Sequence, residues 1–240
     1  MTIEQSRTDP LDLPPEQPPE GIRARGLGMR AGEGWVYRHV TVSAFPGEVL
    51  EVRGAGGTGR SMLLLTLAGR ARATTGTLWV LGHQLPHDTR HVRGLASVAR
   101  LDDVVGPEDQ HTVDQAFRER ARWDRVHPAG SDGTGYRVDE VRELTALGAA
   151  GGERVAGLPA VQRTLLAVAL AALERPKVLV LDDLDDGLPP DEQAMVWTAL
   201  GQVSAADECI TIATTAGGDP RDHPAGRSVL ELHATHVEES

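Results

Sequence analysis

The first chemistry in the chain lies in eight consecutive residues. Gly54-Ala-Gly-Gly-Thr-Gly59-Arg60-Ser61 fits the pattern G-x-x-x-x-G-[KR]-[ST], set between a predicted strand and a predicted helix. Glycines in such a loop let successive backbone N–H groups turn inward onto phosphate oxygens, and the helix start adds its partial positive charge. Gly54, Gly56, Gly57, Thr58, Gly59, Arg60 and Ser61 are therefore the candidate phosphate-binding residues, with the Ser61 hydroxyl a candidate Mg²⁺ ligand. Arg60 stands where such loops usually carry lysine. It brings the right charge on a broad planar fork instead of a compact point. The alternative is a glycine-rich strand-to-helix turn that holds no ligand.

A second constellation lies far downstream. Leu179-Val-Leu-Asp182-Asp183 places two carboxylates at the carboxyl end of an apolar strand, where open α/β sheets bind their ligands. Asp182 is a candidate Mg²⁺ ligand, acting through water. Asp183 is the candidate catalytic base that orients an attacking water. Taken alone, an acidic turn closing a strand explains the same residues. His83, His87 and His91 have the four-residue spacing of metal ligands on one helix face, but Pro86 interrupts the run and favours a solvated loop over a metal site. His233 and His236 read the same way. Cys209 lies in an apolar strand and reads as a buried, inert thiol. Nothing orients a serine into a Ser-His-Asp arrangement.

The elements that must position these residues are legible as alternation and runs. Strands are predicted at 48–52, 77–81, 177–181, 209–213 and 228–232, and a helix from Ser61 to Gly69. Between about His83 and Pro176, helices are predicted at 112–123, 139–147 and 161–174, separated by Gly/Pro/Asp loops. Strands flanking a helical insert imply an α/β core carrying a helical subdomain. Residues 1–20 hold five prolines and five acids with few apolar anchors, as a disordered or polyproline-like tail would. The expected organisation is that tail followed by one domain over 21–240, with its core at 21–84 and 176–240 and the helical subdomain at about 85–175.

Composition narrows the function classes. The 240 residues carry 24 basic and 35 acidic side chains, a net charge of −11, which disfavours non-specific nucleic-acid binding. Aromatics at 3% leave no stacking surface for single strands. One cysteine excludes an intramolecular disulfide framework and suits a reducing compartment. The longest apolar stretch, Leu165 to Leu173, is far short of the ~20 residues that span a bilayer. The N-terminus, with Glu4, Asp9 and Asp12, lacks the apolar segment of a signal peptide. A soluble intracellular protein is expected. Only Lys177 is lysine, so arginine at position 60 fits a general arginine bias.

From about Gly21 onward the chain resembles the ATP-binding subunits of ABC transporters. The stretches 49–69, 77–81 and 158–188 carry the likeness. The resemblance implies a P-loop ATPase fold, with a mixed or parallel sheet and a helical subdomain. It implies MgATP as ligand and a cytoplasmic place on the inner face of the membrane. The implied partners are a membrane permease-type subunit and a second ATPase subunit, either a copy or a different chain, with no nucleic acid. In the family two subunits sandwich two ATP molecules, each between one P-loop and the other subunit's Leu-Ser-Gly-Gly-Gln signature.

Several positions depart from the family pattern. The signature aligns with Leu158-Pro159-Ala160-Val161-Gln162, where Pro159 lacks both the hydroxyl and the N–H. The adenine-stacking aromatic falls near Ala31, with Trp35 four residues on. The Q-loop glutamine aligns with Arg100, which can bond a phosphate oxygen but cannot accept a hydrogen bond from water. The catalytic glutamate aligns with the shorter Asp183, the D-loop with Asp186 to Pro189, and the switch histidine with Thr215 or Ala216. Cis phosphate binding is therefore expected intact and hydrolysis weakened. A non-hydrolysing nucleotide-binding regulator of the same fold is the alternative, with a P-loop small-molecule kinase a more distant one.

Overall fold

The computed structural model describes residues 20–32, 34–101, 105–123, 133–217 and 227–234. The expected tail at 1–20 lies almost wholly outside them. Two strands, β1 (Ile22–Ala31) and β2 (Gly34–Ala44), pair antiparallel ahead of the glycine loop. With β4 (Thr75–Val80) and β5 (His83–Leu85) they form a four-stranded antiparallel sheet in the order β2-β1-β4-β5.

The second sheet positions the site. Its strands are β3 (Val49–Arg53), β6 (Ala96–Arg100), β7 (Val178–Leu181), β8 (Ile210–Thr215) and β9 (Arg227–Glu231). All pair in parallel, in the order β6-β7-β8-β3-β9. Parallel strands require crossover connections, which put helices on both faces and bury the strands between them. That is why β7 is apolar and buried at all four positions.

The helices are α1 (Arg60–Leu67), α2 (Thr89–Leu95), α3 (Val113–Trp123), α4 (Gly133–Leu144), α5 (Ala160–Ala172) and α6 (Pro190–Asp207). They divide the interior into two cores. One joins α1 to both sheets through Leu50, Val52, Leu63, Leu67, Ile22 and Tyr37. Tyr37 hydroxyl donates to Thr66 Oγ1 at 2.8 Å and ties β2 to α1; burial pushes that phenol's pKa up. The other core surrounds α5, every residue of which is buried from Thr164 to Ala172, the mark of a central helix. Arg137 of α4 donates to the Ala172 carbonyl and to Asp207 of α6, tying the insert to the core.

The five predicted strands and four predicted helices are present with shifted ends. β1, β2, β5, α2 and α6 go beyond the sequence expectation. β6 is a correction to it: residues 96–100, inside the span assigned to the helical subdomain, supply a strand of the parallel sheet. Helix α6 had a readable start, with Pro190 at its first position and Asp191 and Glu192 in its first turn. Among the described residues no helix is long and apolar enough to cross a membrane.

Candidate nucleotide site

The glycine loop leaves the carboxyl end of β3 and runs into α1. Gly54 N–H donates to the Thr215 carbonyl at 3.2 Å, anchoring the loop to β8. Thr58 is buried, and its hydroxyl donates to the Ala55 carbonyl at 2.8 Å, closing the loop on itself. Gly57 and Gly59 have φ of 80° and 85°, which side chains rarely adopt. A Cβ at Gly59 would also lie 2.4 Å from the Val36 carbonyl oxygen of β2. The first helical bond is Leu63 N–H to the Gly59 carbonyl at 2.9 Å. The N–H groups of Arg60, Ser61 and Met62 therefore have no acceptor within α1. Gly54, Gly56, Gly57, Thr58 and Gly59 thus form one continuous turn that leads into Arg60 and Ser61 at the start of α1.

Asp182 and Asp183 face this turn from the end of β7. Asp182 is fully buried. Its Oδ1 accepts from the Thr214 hydroxyl, while Oδ2 is buried with no hydrogen-bond partner. Asp183 has φ 42°, a left-handed conformation that costs a non-glycine residue about 1–3 kcal/mol. Its N–H donates to Thr214 Oγ1 at 2.7 Å. Its carboxylate Oδ1 lies 2.8 Å from Arg60 Nη2, and Arg60 Nη1 is buried without a partner. Sequence reading put Arg60 on phosphate and Asp183 on water; in this structure the two pair with each other. The longer cation and the shorter acid compensate in reach.

Arg100 also differs from expectation. Its guanidinium does not extend toward the loop. Nε and Nη2 donate to the Asp182 carbonyl at 3.4 and 3.3 Å, Nη2 donates also to the Asp183 carbonyl, and Nη1 donates to Thr164 Oγ1 at 3.0 Å. Thr214 is the residue that sequence reading missed. A hydroxyl near the end of an apolar strand, Ile210-Thr-Ile-Ala-Thr214, was the available signal. A cleft of 1260 Å³ opens at the end of β7, bordered by Arg100, Arg163, Asp182, Asp183 and Asp186.

The remaining departures resolve geometrically. Pro159 is the N-cap of α5, and Arg163 N–H makes the first helical bond, to the Pro159 carbonyl at 3.0 Å. The helix start therefore keeps the N–H groups of Ala160, Val161 and Gln162. Only the hydroxyl and the N–H of residue 159 are lost. Trp35 lies under the Arg30 guanidinium at 5.8 Å and against Gly28, as a rim aromatic of the β1–β2 hairpin. The Asp185 carboxylate accepts from Ala216 N–H at 2.9 Å, holding the switch position against the turn after β7. His83 and His91 sit on β5 and α2 with rings 4.1 Å apart, not in a loop. Cys209 is fully buried, and burial raises its thiol pKa to about 12, as an inert thiol requires.

The residues fit a Mg²⁺–phosphate group. Among the described residues no cluster of three or more His, Cys, Asp or Glu could hold a metal. Mg²⁺ typically takes one or two protein ligands, with phosphate oxygens and waters completing its shell. Ser61 and the unpartnered Asp182 Oδ2 are such a pair, and Arg60 Nη1 is an unpartnered donor for an anion.

The ABC transporter family matches residues 37–185 of the chain. An uncharacterized ABC transporter ATP-binding protein of Bacillus subtilis is 26% identical, over 70% of this chain and 52% of its own length. An ABC transporter ATP-binding/permease protein of Mycobacterium tuberculosis is 29% identical, over 81% of this chain and 22% of its own. The chain thus spans about half the length of the first relative and under a quarter of the second. Among solved structures, a part of a Clostridium perfringens ABC transporter complex superposes with a TM-score of 0.72, covering 89% of this chain and 84% of that one at 18% identity. That likeness concerns the fold.

Proposed function

Since the chain belongs to the ABC transporter family of ATP-binding proteins, we propose that it binds MgATP between the Gly54–Ser61 turn and Asp182 and hydrolyses it slowly. It would act as the ATP-binding subunit of a transporter, on the inner face of the membrane, with a permease-type membrane subunit and a second ATPase subunit as partners. The observation that carries this reading is the pair of unpartnered buried atoms, Asp182 Oδ2 and Arg60 Nη1, beside a helix start whose Arg60, Ser61 and Met62 N–H groups have no acceptor within α1.

Each residue has a defined task. The loop and the α1 N-terminus hold the phosphates by N–H groups and partial charge. Arg60 exchanges its Asp183 partner for phosphate oxygen. Ser61 and Asp182 would hold Mg²⁺, which when bound would neutralise charge on the phosphoryl group. Asp183, released from Arg60, accepts the proton of the attacking water. Calorimetry with MgATP tests binding. An Arg60→Ala/Ser61→Ala double variant should lose it, since each charge-assisted bond is worth about 1.5–3 kcal/mol. Equal affinity in both proteins refutes the assignment.

The second reading, a nucleotide-binding regulator without turnover, is favoured by the Arg60–Asp183 pair, because each side chain occupies the other. Phosphate release by the full chain, compared with Asp183→Asn, separates the two. Release that Asp183→Asn abolishes supports the ATPase.

A further inference from the structure

We propose that Arg100 is a positioning residue for Asp183, holding the turn after β7 in the one backbone conformation that aims this carboxylate at the phosphate side of the loop. The pairing of β6 with β7 sets the direction in which Arg100 points. It runs Ala96 to Val178, Ser97 to Leu179 and Val98 to Val180, then skips, so that Arg100 and not Ala99 lies opposite Leu181. One extra residue in a strand sends two successive side chains to the same face. Here Ala99 packs in the core around α5, and the next residue, Arg100, also reaches α5, at Thr164. In an unbroken strand Arg100 would point to the opposite face, away from Asp182 and Asp183.

The turn itself needs a cation. With Asp183 at φ 42°, the Asp182 and Asp183 carbonyls converge on one guanidinium, which donates to both. Two adjacent carbonyl dipoles aimed at one point repel unless a cation lies between them. Arg100 supplies it, with the planar fork that a glutamine or a lysine lacks. From the other side the Thr214 hydroxyl accepts from Asp183 N–H and donates to Asp182 Oδ1. The residue at the Q-loop position therefore acts on the catalytic carboxylate through the backbone and not on phosphate or water. What the held carboxylate then does rests on the MgATP reading above.

The test has two arms. In the nucleotide-free full chain, amide exchange followed by NMR should show Asp183 and Leu184 exchanging about 10-fold faster in Arg100→Gln, with Ile212 of β8 unchanged. Arg100→Lys, which keeps the charge but not the fork, should fall between. Thr164→Val, which removes only the α5 anchor, should move the same two amides less and serves if Arg100→Gln does not fold. Unchanged rates at 183 and 184, or a uniform rise across β7 and β8, overturn the proposal. In MgATP hydrolysis, Arg100→Gln should lower kcat about 10-fold with KM nearly constant, as a misplaced group does, and Arg100→Lys should recover part of it. A raised KM at constant kcat would place Arg100 on phosphate and overturn the proposal. No hydrolysis by the wild type, with the exchange effect present, overturns the ATPase reading and leaves the positioning role standing.

Discussion

The phosphate loop and the turn after β7 face each other across the site, and they are made of different material. The loop offers backbone: its N–H groups are set by Gly57 and Gly59 at φ 80° and 85° and by the start of α1. The turn works by side chains: Asp182, Asp183, Thr214 and Arg100 interlock through hydrogen bonds, with Thr164 and Arg60 as outer partners. A backbone cradle survives substitution of every side chain that does not alter its dihedral angles. A side-chain constellation changes with each substitution. That contrast accounts for the sequence pattern: the glycines of the loop match the family motif, while most departures from it fall on side-chain positions such as Arg100, Asp183 and Thr215. The α5 N-terminus follows the same rule: Pro159, Ala160 and Val161 replace the side chains of the signature, while three helix N–H groups persist.

The largest expected effect tests the backbone half. Gly59→Ala forces a Cβ to 2.4 Å from the Val36 carbonyl at a φ of 85°, so it should cost at least about 2 kcal/mol of stability and abolish MgATP binding. Gly56→Ala meets no atom within 4 Å and should change stability by no more than about 0.5 kcal/mol. Urea unfolding with calorimetry reads both. Equal behaviour of the two variants breaks the comparison.

A smaller effect is expected from repairing the side-chain half. Converting Pro159→Ser, Ala160→Gly and Val161→Gly together should raise homodimer turnover up to about 10²-fold, the usual worth of one preorganised donor, and more than Asp183→Glu alone. Val161 is buried at 6% exposure, so the same variant should also melt lower. A phosphate-release assay beside a thermal melt separates the gain from the loss. Vigorous turnover by the wild type alone, abolished in Asp183→Asn, would show that the altered helix start already suffices.

The smallest effect concerns the base. Ala31 offers no ring, and Trp35 is engaged by Arg30 and Gly28, so competition binding should find ATP and GTP within about 10-fold, 1.4 kcal/mol. A preference above about 100-fold would mean that the hairpin reads the base after all.

Glycine spacing and a terminal pair of acids made Gly54–Ser61 and Asp182–Asp183 readable from the residues alone, because a loop between strand and helix depends on local dihedral freedom and a buried strand on an unbroken apolar run. The same local signals placed β3, α1, β7 and β8. They did not reveal β1 and β2, whose bulged pairing shifts register three times and blurs the alternation, or β6, a short run that reads equally as part of a helix. Nor could they show which side chain meets which. Arg60 finding Asp183, Arg100 turning to the β7 end and Thr214 joining both acids depend on contacts 31 to 123 residues apart in the chain. Residue types and local spacing determined what could bind phosphate. Sheet order and one skipped residue in β6 decided which charges stand against one another before any ligand arrives, because such distant side chains are brought together only when strands and helices pack.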